Sequence, residues 1–278
     1  MTDYRKWLTG ISVKFDLYSH KDFEAFKKAG VDAVEISPRF GNEDKLNWAE
    51  IKAEAERTGM VLNSYHLPFS RQYAIADLDE SQRQEVVANN IRLMRLAAAA
   101  GVRIMVLHPS TEPIADEARS LYMAQSQKSL REMAEVAEEL GVVIAVEDLP
   151  RTCLGHDATE MKELLSADKR LRMCFDVNHL LRDNHKNMVD AVGDKIVTLH
   201  ISDYNFEDEC HFVPGVGHID WKALVELLEK ADYKGVFMYE VAFGAFEKMG
   251  IATRAHSYAE IHENHMNIKT FTGDGKRI

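Results

Sequence analysis

Six apolar runs in this 278-residue sequence each close on a side chain that can bind a metal ion or carry a proton. They are Ser64-Tyr65-His66, Val106-Leu107-His108, Ala145-Val146-Glu147, Cys174-Phe175-Asp176, Thr198-Leu199-His200 and Met238-Tyr239-Glu240. Imidazole and carboxylate groups ligate hard and borderline divalent cations. They also serve as general acids and bases once their surroundings adjust their pKa. Tens of residues separate each from the next, so they meet only in a fold that gathers the ends of its strands. A lone histidine in such a place is more often a pocket side chain than a ligand. A lone acid is often a helix cap or half of an ion pair. Glu147, Asp176, His200 and Glu240 form a set, however, and carboxylates brought together without a cation drive up one another's pKa. A metal resolves that conflict. Three carboxylates and one imidazole suit one divalent ion, with Mn²⁺ the first expectation and Mg²⁺, Co²⁺ and Zn²⁺ also admissible. His66 and His108 are expected to line the same pocket.

The elements that must position these residues follow from the pattern around them. Short apolar runs occur at Leu8–Val13, Ala33–Ser37, Val61–His66, Arg103–His108, Val143–Glu147, Arg172–Asp176, Ile196–Ile201 and Val236–Val241. They alternate with amphipathic stretches, among them Lys21–Ala29, Trp48–Thr58, Gln82–Ala100 and Ala118–Leu140. Each of these four stops at a glycine just before the next run, where a helix C-terminus favours a residue tolerant of positive φ. Repeated βα units around a parallel sheet are implied, and eight strands close a barrel. The expected fold is a (β/α)₈ TIM barrel, a single domain over residues 1–278, with a C-terminal helical tail from about Ala255 to Asn267. A doubly wound open sheet would carry a glycine-rich first turn, which Gly10-Ile11-Ser12 is not. In a barrel of this kind the C-terminal rim holds the active site, so charged strand ends there read as functional.

Lys and Arg total 34 against 45 Asp and Glu, a formal charge of −11. That balance repels a phosphate backbone and argues against a nucleic-acid partner. No apolar run reaches the roughly 20 residues needed to cross a bilayer, and Met1–Lys6 lacks a secretory apolar stretch. A cytoplasmic protein without a membrane partner is expected. Cys153, Cys174 and Cys210 are too few and too scattered for a disulfide framework or a zinc knuckle. Arg39, Arg71, Arg151 and Arg182 each follow an expected strand, where a planar guanidinium could hold an anionic group.

The motifs continue beyond the strand ends, in Phe175-Asp176-Val177-Asn178-His179, Leu199-His200-Ile201-Ser202-Asp203, the run His211 to Asp220, and Gly235-Val236-Phe237-Met238-Tyr239-Glu240-Val241. In order and spacing, over almost the whole chain, they resemble the xylose isomerase-like barrel superfamily of sugar isomerases, epimerases and apurinic-site endonucleases. The resemblance implies a metal-dependent sugar or sugar-phosphate isomerase or epimerase working through an enediolate on a small carbohydrate. It makes Glu147 and Glu240 the acid–base pair as well as metal ligands. It assigns His179 to the substrate oxygens. His66, His108, His211, Arg151 and Arg182 are further expected as substrate-binding residues of the same rim. Relatives often pair, so a homo-oligomer is in keeping with it. The chain departs from many relatives in having Phe206 near where they place an arginine after His200, and it lacks the lysine motif of xylose isomerase itself. The endonuclease branch implies a rival, a trinuclear-zinc phosphodiester hydrolase, whose nine ligands would be His66, His108, Glu147, Asp176, His179, His200, Glu209, His211 and Glu240. A second rival is a metal-dependent dehydratase of a polyol or dehydroshikimate-like acid.

Overall fold

In the computed structural model, which describes residues 3–39, 41–241 and 257–273, eight apolar runs form strands. They are β1 (Thr9–Phe15), β2 (Ala33–Pro38), β3 (Val61–His66), β4 (Ile104–Leu107), β5 (Val143–Glu147), β6 (Arg172–Asp176), β7 (Ile196–His200) and β8 (Phe237–Tyr239). All neighbours pair in parallel in the order β7-β6-β5-β4-β3-β2-β1-β8. The two ends of that order meet through a bridge between Ile201 and Tyr239. There Ile201 N donates to Met238 O at 2.8 Å and Glu240 N donates to Ile201 O at 3.0 Å. The result is the expected barrel.

The intervening helices are α1 (Phe23–Lys28), α2 (Trp48–Thr58), α3 (Glu80–Ala100), α4 (Arg119–Leu140), α5 (Ala158–Leu165), α6 (His185–Val192), α7 (Trp221–Lys230) and α8 (Tyr258–Asn267). The expected glycine stops are present. Gly59, Gly101 and Gly141 cap α2, α3 and α4 with φ of 70°, 105° and 65°, a left-handed turn that costs other residues a Cβ clash. Helices α5, α6 and α7 lie beyond the four amphipathic stretches that the sequence pattern marks. Two of them are only eight residues long. Their starts carry a signal nonetheless: the side chains of Asp157, Asn184 and Asp220 accept from Glu160 N, Asn187 N and Ala223 N. The tail helix begins three residues later than expected, after Ser257, whose side chain caps it. Ala255 and the polar C-terminal end lie outside the described residues.

Side chains alternate across a strand, so residues two apart share a face. Val106, Ala145 and Cys174 pack together inside the barrel. Two residues further along, the same inner face presents His108, Glu147 and Asp176, and on β7 Thr198 is followed by His200. The outer faces of the strands and the inner faces of the helices build the main apolar core, with Phe15, Phe23, Phe26, Phe175, Trp221 and Phe237 almost wholly buried. No described helix is long and apolar enough to cross a membrane.

Candidate metal centre

All six strand-end residues converge. One ligand atom each from Glu147, Asp176, His200 and Glu240 lies within 4.8 Å of the others. His200 Nδ1 stands 3.1 Å from Glu240 Oε2, 3.2 Å from Glu147 Oε1 and 3.8 Å from Asp176 Oδ2. A second group joins Glu147 to His66 and His108, whose Nε2 atoms each lie 3.2 Å from its Oε2. A third gathers His179, Glu209 and His211. Strands β4 and β8 stop one residue short of His108 and Glu240, which leaves these two on the first residue of the following loop.

The histidines explain what these groups are suited to hold. His66 Nδ1 is 2.9 Å from Leu67 O, His179 Nδ1 is 2.8 Å from Asp148 O, and His211 Nδ1 is 3.1 Å from Glu240 O. A carbonyl only accepts, so each Nδ1 carries a proton, and in the neutral ring each Nε2 presents a lone pair. Those lone pairs face carboxylates. Meanwhile the buried Glu147 Oε2 and Asp176 Oδ2 have no hydrogen-bond partner among the described residues. Lone pairs converging on lone pairs repel unless a proton or cation lies between them. The second nitrogen fixed by an acceptor is also how metal-binding histidines are oriented in general. The donor set therefore fits a divalent cation, most completely at Glu147, Asp176, His200 and Glu240.

Without a cation the electrostatics show the same frustration. Burial opposes the charged form of His200, but Cys174, Glu35, Glu240 and Glu147 outweigh it and lift its pKa well above the ordinary imidazole value. Burial likewise opposes the charge on His179, and Asp176, Glu209 and Glu147 reverse the effect. Asp176 is pushed above the usual carboxylate range by burial, with Glu240 and Glu147 adding repulsion. Burial raises Glu147 too, yet His200 and His108 hold it well below its ordinary value. Asp148, buried beside the site, is driven well upward by burial. Its Oδ1 accepts from Asp176 N at 2.8 Å, which fixes the backbone beneath that ligand.

The segment bearing Glu209 and His211 is organised by one fully buried carboxylate. Asp203 accepts from Tyr204 N at 2.9 Å, Gly215 N at 2.8 Å, Ile219 N at 3.2 Å and Trp221 Nε1 at 2.9 Å. A Cβ at Gly217 would lie 2.3 Å from Asp203 Oδ1, so this loop closes only over a glycine. Asp203→Asn turns an amide N–H₂ toward donors and is expected to cost about 2–3 kcal/mol, read as a lower urea midpoint. An unchanged midpoint would show that the clasp contributes nothing.

The arginines behave differently from one another. Arg151 bonds Glu112 and Asp208 and pairs with Glu209, so its guanidinium steadies a site carboxylate and is spread over three acids. Arg39, Arg71 and Arg182 are exposed on the loops after β2, β3 and β6, and none of them pairs with a site carboxylate among the described residues. Phe69, half exposed, stacks on His108 with ring centroids 4.2 Å apart and gives the mouth an apolar wall. Glu35 was missed from the sequence. It lies mid-strand on β2, fully buried, with Oε1 3.0 Å from His200 Nε2. A carboxylate flanked by Val34 and Ile36 in an otherwise apolar strand was the available signal.

A profile described as the xylose isomerase-like TIM barrel matches residues 23–257. The chain belongs to this family. A D-psicose 3-epimerase of Enterocloster bolteae is 23% identical over 256 residues, spanning 86% of this chain and 76% of its own. An uncharacterised protein of Methanocaldococcus jannaschii is 26% identical over 211 residues, spanning 72% of this chain and 81% of its own. A solved D-tagatose 3-epimerase-like protein superposes with a TM-score of 0.79 at 22% identity, covering 95% of this chain and 98% of its own. A D-psicose 3-epimerase solved in the presence of D-fructose gives 0.76 at 18% identity, covering 96% and 99%. At these identities the superpositions establish a shared fold.

Proposed function

We propose that the protein is a divalent-metal-dependent sugar epimerase or isomerase, with Glu147, Asp176, His200 and Glu240 holding one ion, Mn²⁺ in the first instance. The observation that carries this reading is the four-residue group itself, whose carboxylate oxygens and His200 Nδ1 converge while Glu147 Oε2 and Asp176 Oδ2 have no hydrogen-bond partner among the described residues. The names of the ketose 3-epimerase relatives point the same way. A bound ion would supply polarisation of a substrate carbonyl and its neighbouring hydroxyl, which acidifies the intervening C–H. The chain's own part is proton transfer. One of Glu147 and Glu240 removes the carbon-bound proton, leaving an enediolate, and the other returns a proton. Return to the opposite face of the same carbon gives an epimer, and return to the neighbouring carbon, with the hydroxyl proton passing to the former carbonyl oxygen, gives an isomer. Glu240 suits the substrate side because its side chain is 30% exposed, while that of Glu147 is 2% exposed. His66, His108, His179 and His211 line the pocket and can bind substrate hydroxyls, and Phe69 offers a face to the sugar's C–H groups.

A second reading is favoured by one specific observation. Two of the three further groups, His66–His108–Glu147 and His179–Glu209–His211, complete a nine-residue set suited to three ions. That arrangement suits a phosphodiester hydrolase, in which clustered zinc ions activate water and stabilise the leaving oxygen. The formal charge of −11 disfavours a polyanionic substrate. Elemental analysis of the purified protein, with ketohexoses assayed for proton exchange in D₂O, separates the two. About one Mn, Co or Mg ion per chain with exchange on a ketose supports the epimerase. Two to three zinc ions with no exchange on any sugar would transfer the assignment to the hydrolase.

A further inference from the structure

Resting on the metal-centre reading above, we propose that Glu35 is the positioning residue of the centre: it fixes His200 in the tautomer whose Nδ1 is free to ligate the ion. The two nitrogens of His200 have different surroundings. Nδ1 faces Glu147, Asp176 and Glu240, while Nε2 lies 3.0 Å from Glu35 Oε1. A carboxylate there accepts Nε2–H and leaves Nδ1 with a lone pair, which is the form a cation requires.

Glu35 is itself held on both oxygens. Ser12 Oγ donates to Oε1 at 2.7 Å and Ser64 Oγ donates to Oε2 at 2.8 Å. These three residues come from adjacent strands in register, Ser12 opposite Glu35 on β1 and β2, and Glu35 opposite Ser64 on β2 and β3. The β2–β3 register shifts between Val34 and Glu35, an irregularity that skips Asn63 and brings Ser64 opposite the carboxylate. Asn63 Nδ2 then donates to Ser64 Oγ at 3.2 Å and extends the network. A fully buried glutamate gains nothing from solvent, so its place in a barrel interior is explained by what it orients. His66, His179 and His211 are fixed by backbone carbonyls. At His200 the orienting group is a side chain, so it can be replaced while the ligands stay in place.

The test uses the full-length protein with Co²⁺ alone as probe, read by its visible absorption, and with ¹⁵N chemical shifts of the histidine rings in chelated protein titrated to a pH at which His200 has lost its second proton and one tautomer can be read. Glu35→Gln keeps the volume and the Oε1 acceptor but removes the charge and lets an N–H₂ compete. Co²⁺ affinity is expected to fall about 10–100-fold, as for other outer-sphere partners of metal histidines, and the His200 ring is expected to shift toward the Nδ1–H form. Ser64→Ala leaves Glu35 in place and is expected to lose several-fold, which keeps the proposal testable should Glu35→Gln fold poorly. Thermal unfolding of the chelated variants separates this from general destabilisation, which would lower the midpoint without weakening Co²⁺ binding to folded protein. Wild-type affinity and an unshifted His200 ring in folded Glu35→Gln, or in Ser64→Ala where only that variant folds, would overturn the positioning role and leave the metal centre standing. Failure of the wild-type chain to bind Co²⁺ would overturn both.

Discussion

Glu240→Gln is expected to slow exchange of the substrate's carbon-bound hydrogen with solvent deuterium by about 10²–10⁴-fold, the range over which one general acid–base group acts. The amide keeps the length of the side chain and an oxygen for the ion, but it can neither take nor return a proton at neutral pH. Because Glu240 is the more exposed of the two glutamates, the variant should keep its fold and most of its metal. Glu147→Gln is expected to be worse. Glu147 belongs to both the four-residue group and the His66–His108 group, so its loss disturbs ligation as well as proton transfer. Metal content measured beside exchange distinguishes the two effects: low exchange with metal retained for Glu240→Gln, low exchange with metal lost for Glu147→Gln. Near-wild-type exchange in either variant would remove that residue from the acid–base pair.

The second large effect concerns pH. In the metal-free protein His200 has its pKa lifted above the ordinary 6.5, so the stabilisation it gives is fully present below that pH and disappears as pH rises through the folded value. Asp176 is also raised, above an ordinary 3.8. For an acid this means that the folded state resists ionisation, and stability falls as pH climbs from about 4 through the folded value. Both groups make chelated protein more stable in mild acid than at pH 8. The ion reverses this, because it must displace the protons they hold, and apparent affinity should rise about tenfold per pH unit for each proton displaced. At pH 8, metal at a hundred times its Kd should contribute about 2.7 kcal/mol, or roughly 5–10 °C in Tm for a domain of this size. Differential scanning calorimetry from pH 5.5 to 8, with and without chelator, checks the sign. A metal effect that shrinks as pH rises would contradict the assignment of His200 and Asp176 as ligands.

Much of this centre was legible because barrel geometry maps strand ends onto one rim. Once eight runs could be counted, His66, His108, Glu147, Asp176, His200 and Glu240 had to meet, and they do. Glu35 is not legible by the same rule, because it stands mid-strand on β2 between Val34 and Ile36. Its partners Ser12 and Ser64 lie on neighbouring strands, and their facing positions depend on a β2–β3 register that side-chain alternation alone does not give. Arg151 lies beside the site, and its three acids come from two loops, Glu112 after β4 and Asp208 and Glu209 after β7, whose paths depend on tertiary contacts. Helices α5 and α6 are too short for a strong periodic signal, although their capping residues were in view.

The meeting of β7 and β8 gives the centre a mechanical meaning. Elsewhere neighbouring strands pair over at least three residue pairs, but here the described contact is a bridge at Ile201 and Tyr239 with two backbone hydrogen bonds. His200 and Glu240 flank that junction from either side, Nδ1 to Oε2 at 3.1 Å. An ion gripped by both would rivet the least-stitched joint of the cylinder. Parting the staves and surrendering the ion then become a single event, so the tightness of one sets the rarity of the other.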